Sequence, residues 1–272
     1  MEFLYPEGKK QALTMSFDDN QDFDRRLVAL FDKYGIKGTF NINSSTLGGT
    51  AESNCDGNVY VTAEELNDLY KNHEIAVHGL DHKFILGLTD PMIVNEFLQD
   101  RKNLESYTGR IINGCAYAFG WHNEHVMTIL KQLGIKYSRG VNDTNNFFPP
   151  MDFLDWCPTC HQGSENLMAL CDTFLDCPGY IELPLMYVWG HSFEFGRSGD
   201  WSQIEKFCEK MSGKDFIWYA TNMEICNYIQ ATRSLETSAD CKTIYNPTLI
   251  TIWFKDNGKE YILKPGQTIK LD

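Results

Sequence analysis

The chain has 272 residues, 43% of them hydrophobic and 22% charged, with a formal net charge of −13 at pH 7. That length suits one large α/β barrel or one domain with a small appendage, and the composition excludes a disordered chain. The acidic balance disfavours nucleic acid and anionic membrane surfaces as partners, and no stretch approaches the roughly 20 apolar residues of a membrane span.

In chain order, Ala12–Phe17 is a short apolar strand that runs into Asp18 and Asp19. Residues 22–35 have helical spacing, with Leu27, Leu30 and Phe31 on one face and Gly35 as a stop. Residues 36–43 read as a strand. Residues 62–73 read as a helix opened by a capping box, Thr62 with Glu65. Residues 74–79 form the next strand. A long helix follows over 91–109, with Pro91 near its first turn and Gly109 at its end. Strand and turn over 111–120, helix over 123–134 and strand over 135–139 continue the alternation. Later come strand 182–191, helix 200–213, strand 216–220 and helix 222–235. The βαβα order argues for a parallel sheet closed as a barrel over 1–234. From about Leu235 the pattern turns strand-rich, with turn signals at Asn257-Gly258 and Pro265-Gly266, so 235–272 reads as a small β appendage without catalytic residues.

The start, MEFLYPEGKK, lacks the layout of a signal peptide, which points to the cytoplasm, although a trimmed exported precursor would look the same. Nine cysteines cannot all pair within the chain, and Cys55, Cys115, Cys157, Cys160, Cys171, Cys177, Cys208, Cys226 and Cys241 read as free thiols. Cys157 and Cys160 form the only C-x-x-C. Without a second pair it reads as two loop thiols, not a zinc ribbon.

In an α/β barrel, chemistry sits where strands end. One strand ends in Asp18-Asp19, another in His78-Gly79-Leu80-Asp81-His82, and a third in His191. Each has a bland reading alone: a solvated loop, an incidental histidine pair, a structural histidine. Together at successive strand ends, two imidazoles and a carboxylate make a plausible catalytic zinc set with a position left for water. His161 fits a pocket wall or a surface loop equally well, and His122 and His125 read as structural.

With these residues in place, the chain resembles the polysaccharide deacetylase family, carbohydrate esterase family four, over roughly residues 10–232. Ser16-Phe17-Asp18-Asp19 is similar to the family's first motif, T-F-D-D, which makes Asp18 the general base and Asp19 a metal ligand. His78 and His82 match the second, H-[ST]-x-x-H, as metal ligands, with Gly79 in place of the hydroxyl residue. Asp152-Phe153-Leu154-Asp155-Trp156 matches the fourth, D-x-x-D-W. This resemblance implies that Asp152 tunes the catalytic histidine and that Trp156 walls the substrate groove. His191 matches the fifth as general acid. In the third, R-x-P-[FY]-G, the arginine is Ala116 and the proline Ala118, while Phe119 and Gly120 remain. Tyr117 and Phe119 are expected beside the substrate, the Phe119 N–H helping to hold an oxyanion.

The resemblance implies a distorted (β/α) barrel that removes N- or O-linked acetyl groups from an acetylated sugar or glycan. Asp18 and His191 would act as base and acid around a water activated by a divalent metal, Zn2+ with Co2+ or Ni2+ as alternatives. The alternatives are a non-catalytic metal- or carbohydrate-binding barrel and a hydrolase of C–N bonds in small cyclic amides. The missing arginine needs a substitute, and Arg139, at the end of the strand after the third motif, is expected to brace Asp18 by a hydrogen bond, direct or through one intermediary, since a guanidinium can grip a carboxylate as lysine cannot.

Overall fold

A computed structural model describes residues 1–49 and 57–272, so Cys55 lies outside the described residues. The first strand, β1 (Glu2–Leu4), lies outside the barrel. β2 (Gln11–Asp18), β3 (Gly38–Ile42), β4 (Glu74–Val77), β5 (Gly114–Ala116), β6 (Tyr137–Arg139), β7 (Cys160–His161), β8 (Leu185–His191) and β9 (Ile217–Tyr219) build one parallel sheet. Its order is β6-β5-β4-β3-β2-β8-β7, with β9 against the start of β2.

Strand alternation divides the core. On β2, Leu13, Met15 and Phe17 point to one face and pack with the helices. Ala12, Thr14, Ser16 and Asp18 point to the other, into the curl of the sheet. The outer layer includes α1 (Asp24–Tyr34), α2 (Leu66–Leu69), α3 (Asp90–Thr108), α4 (Glu124–Gln132), α5 (Leu167–Leu175), α6 (Ser192–Ser198) and α7 (Ser202–Met211). Phe17 is 1% exposed among Phe31, Phe40 and Phe195. Its truncation to Ala would cost about 3–5 kcal/mol. The last helix, α8 (Asn222–Arg233), reaches into the curl instead. Asn222 Nδ2 donates to the Tyr187 hydroxyl at 2.6 Å, and its Oδ1 accepts from Thr14 at 2.8 Å.

One expected element differs. The helix expected over 62–73 is the single turn α2. Only half of its capping box forms: Thr62 N–H donates to Glu65 Oε2, and the same carboxylate takes two hydrogen bonds from Arg25. The complete box is at Thr221 and Glu224, opening α8. Helices α5 and α6 fall where the sequence offered no clear period.

The segment carrying D-x-x-D-W closes the gap between β6 and β8. Ser138 N–H donates to Phe153 O, Trp156 N–H to Ser138 O, and Thr159 N–H to Tyr187 O. Trp156 therefore holds a strand position beside Arg139 and faces inward.

The remaining strands are β10 (Glu236–Thr237), β11 (Thr243–Tyr245), β12 (Ile252–Asp256), β13 (Lys259–Leu263) and β14 (Thr268–Lys270). They form two small antiparallel sheets, β10-β11-β14 and β1-β12-β13. The start of the chain thus pairs with its end. Ile244, Ile252, Phe254 and Leu263 share one core cluster with Tyr5, Trp156, Leu185 and Tyr187. The eight described cysteines are free thiols. Among the described residues, no helix is long and apolar enough to cross a membrane.

Candidate active site

Parallel strands end in register, and that brings the acidic, amide and imidazole side chains together. Asp18 on β2 pairs across with Asn41 on β3 and His191 on β8. Asn41 Nδ2 donates to Asp18 Oδ1 at 2.7 Å and to Ser16 Oγ at 2.8 Å. Nothing singled out Asn41 in the sequence, although its place two residues after Thr39 on a half-polar strand is an alternation signal.

Arg139 is wholly buried and its Nη2 donates to Asp18 Oδ2. Nη1 donates to Gly140 O at 3.0 Å, and the guanidinium lies 4.6 Å over the Trp189 ring. The contact to Asp18 is direct, through one nitrogen. Ala116 and Arg139 are direct register partners on β5 and β6, so the cation sits one strand over from the position alanine occupies. Burial alone would push the Asp18 carboxyl up. Arg139, His78, His191 and the Asn41 amide outweigh it and lower it to about 2.

Asp19, His78 and His82 present three ligand atoms within 4.8 Å of one another. His78 and His82 each place Nε2 near Asp19 Oδ1, at 3.5 and 3.6 Å. His78 Nδ1 lies 2.9 Å from the Ala116 carbonyl, an acceptor only. That contact puts the ring proton on Nδ1 and leaves Nε2 bare for a cation. Burial, chiefly, holds the His78 pKa below its usual value, against the pull of Asp18 and Asp19. A neutral imidazole is the form that ligates. The donor set therefore fits a divalent metal.

The loop between the two histidines is clamped from α3. Asp100 takes Ser44 N–H at 2.7 Å and His78 N–H at 3.2 Å. Glu96 Oε1 takes Asp81 N–H at 2.8 Å and Lys83 N–H at 3.1 Å. Gly79 has φ +87, and a Cβ there would meet Glu96 Oε1 at 3.1 Å. Glu96 thus crowds the place where a Ser or Thr side chain would begin.

A second group, His161, His191 and Glu194, also brings its ligand atoms within 4.8 Å. Its hydrogen bonds differ. Gly163 N–H donates to His161 Nδ1 at 3.1 Å, so the His161 proton sits on Nε2, which faces Glu194 Oε1 at 3.3 Å. His191 Nδ1 lies 2.7 Å from the same oxygen, and Gln162 Nε2 donates to Glu194 Oε2 at 3.0 Å. Burial would raise the Glu194 carboxyl, but these three donors hold it well below the usual range. Burial would lower His191, but Glu194, Asp18 and Asp19 raise it. His191 Nε2 faces Asp18 Oδ2 at 3.8 Å.

Three expected roles change. Asp152 is exposed and takes the Leu154 N–H at 2.8 Å; the carboxylate on His191 Nδ1 is Glu194. A strand-end histidine followed by an acid at i+3 on a helical turn was the legible signal. Trp156 is 1% exposed and packs on Tyr137, Phe153 and Tyr187, because its backbone bridges to Arg139 and turns the ring inward. Tyr117 is fully buried beneath His122 and donates to Leu154 O at 2.8 Å, so it faces no open groove. Phe119 is exposed at φ 59, its ring 4.5 Å from that of His82.

Residues 6–138 match a family model described as polysaccharide deacetylase. No curated protein matches the chain. Among solved structures, one from Mycobacterium smegmatis assigned to the polysaccharide deacetylases shares 17% identity and a TM-score of 0.64. The match covers 85% of this chain and 94% of that one. The esterase family four domain of a multidomain xylanase from the hindgut metagenome of Trinervitermes trinervoides shares 14% identity at TM-score 0.51, covering 81% and 92%. A pseudoenzyme of that esterase family from Bacillus anthracis shares 13% at TM-score 0.51, covering 83% and 68%. At these identities the likeness is one of fold, a parallel sheet curled into a half-barrel.

Proposed function

We propose, from a chain whose residues 6–138 match the polysaccharide deacetylase family and whose fold is that family's, that this protein is a metal-dependent deacetylase of an acetylated sugar or glycan. The observation that carries the reading is the set of three metal-type donors, with the His78 tautomer fixed, beside a buried carboxylate held by Arg139.

Asp19, His78 and His82 would hold the cation, zinc first by donor type, with cobalt or nickel as substitutes. When bound, it supplies a polarised acetyl carbonyl and a more acidic water. Asp18 is ionised across the neutral range and fixed in one orientation by Arg139 and Asn41. It accepts the proton of the attacking water. His191, whose pKa Glu194, Asp18 and Asp19 raise, would donate a proton from Nε2 to the leaving nitrogen or oxygen. Glu194 holds the ring by Nδ1 so that Nε2 faces the reacting atoms. By resemblance, the Phe119 N–H would serve as the oxyanion donor.

Release of acetate from acetylated oligosaccharides and an aryl acetate, with metal and after chelation, tests this. Metal-dependent release is expected. A folded, metal-loaded protein that releases none would favour the second reading, a binding barrel, which the pseudoenzyme of the same fold makes concrete.

A further inference from the structure

We propose that the cavity beside the metal ligands receives an anionic substituent of the sugar, a carboxylate or a phosphate, on Arg197. The inference rests on the deacetylase reading and narrows its substrate. A cavity of about 390 Å³ is walled by Asp19, His82, Gln21, Asn43, Phe193 and Arg197 among others. It therefore adjoins the reacting centre directly.

Arg197 is the distinctive member. Its Nη2 meets two neutral amide oxygens, Asn58 Oδ1 at 2.9 Å and Gln21 Oε1 at 3.5 Å. Among the described residues it makes no ion pair with any carboxylate. In a chain of net charge −13, carboxylates are abundant. Those lining the cavity are already engaged, Asp81 by Lys83 and Asp19 in the proposed metal set; Glu194, on the same helix as Arg197, is held by His161, His191 and Gln162. Asp200, further along, caps Ser202 N–H.

The guanidinium is also held in place. It lies 4.2 Å over the Phe193 ring, and that ring is 4.8 Å from His191. A stack of imidazole, phenyl and guanidinium thus runs from the proposed acid to the cation. Stacking on an aromatic face leaves the in-plane N–H groups available, and a guanidinium offers them as a fork matched to carboxylate or phosphate. The acidic surface elsewhere repels an anion, so the preference has to come from this local contact.

The test uses the metal-loaded full chain with N-acetylglucosamine, its 6-phosphate and N-acetylmuramic acid. Binding is measured by calorimetry and turnover by acetate release. Wild type is expected to prefer one anionic sugar over the neutral one by roughly tenfold or more in Kd, and in kcat/KM where turnover occurs. The preferred probe identifies carboxylate or phosphate. In Arg197→Ala the ratio should fall toward one, chiefly through KM, and Arg197→Lys should retain part of it. No preference in wild type, or an undiminished preference in Arg197→Ala, overturns the proposal. Absence of acetate release from every sugar counts against the deacetylase reading, while the calorimetric ratio still decides the anion site.

Discussion

Two clusters of two imidazoles and one carboxylate flank Asp18, and one backbone neighbour sets them apart. His78 Nδ1 meets a carbonyl, Ala116 O, so its Nε2 is bare. His161 Nδ1 meets an amide N–H, Gly163, so its Nε2 carries a proton toward Glu194. By composition the clusters are equivalent. By tautomer the first leaves a bare ring nitrogen for a cation, and the second turns ring N–H groups toward Glu194. Residue type names the candidates, and the hydrogen bond on the far side of each ring decides between them.

The comparison breaks most sharply in turnover. His191→Ala should lower kcat by roughly 10²–10⁴-fold while leaving metal content unchanged, as should Asp18→Asn in rate. Near-normal kcat in both would remove the second cluster from the chemistry. Arg139→Ala removes the buried guanidinium that holds Asp18. It should cost roughly 3–5 kcal/mol in denaturant unfolding and lower kcat, with metal retained. Arg139→Lys, which keeps the charge without the planar fork, should fall between. Unchanged turnover in Arg139→Ala would mean that another group braces the base.

Smaller effects sharpen the first cluster. Glu96→Ala frees the Asp81 and Lys83 N–H groups of the ligand loop, and metal affinity should fall about 10–100-fold, read by competition with a chromophoric chelator. Undiminished affinity would make the clamp irrelevant to the site. Glu74, which takes hydrogen bonds from Met223 N–H, Tyr137 and Thr39 within the curl, provides a control away from the metal. Burial raises its carboxyl to about 7, against those hydrogen bonds. A raised folded pKa stabilises below the usual carboxylate range and loses that contribution as pH rises through about 7. Partial solvent contact limits the change to on the order of 2 kcal/mol. Glu74→Gln should flatten the fall in Tm between pH 5 and pH 8 (both about), and an unaltered slope would assign it elsewhere.

Much of this was legible in the sequence. Strand ends loaded with Asp18-Asp19, His78, His82 and His191 marked one face of a barrel, because parallel strands deliver their last residues to the same place. Arg139 was legible for the same reason: it ends the strand next to the one that lacks a cation. What could not be read was direction. Trp156 and Tyr117 are aromatic and near the motifs, but one sits on a barrel-closing segment and the other under His122, and both point inward. Asp152 lay in the expected motif, yet the chain supplies the carboxylate from Glu194, one helical turn after His191. Residues 235–272 read as a β appendage, yet one of its two small sheets is completed by β1, since a pairing about 250 residues apart leaves no local period to detect.

Metal titration of the stripped protein tests the contrast between the clusters most directly, comparing wild type, His78→Ala and His161→Ala by bound zinc per chain. One equivalent is expected in wild type, none in His78→Ala, and one again in His161→Ala. Zinc retained in His78→Ala, or lost in His161→Ala, would show that the cation sits on the other cluster and that the tautomer argument is wrong.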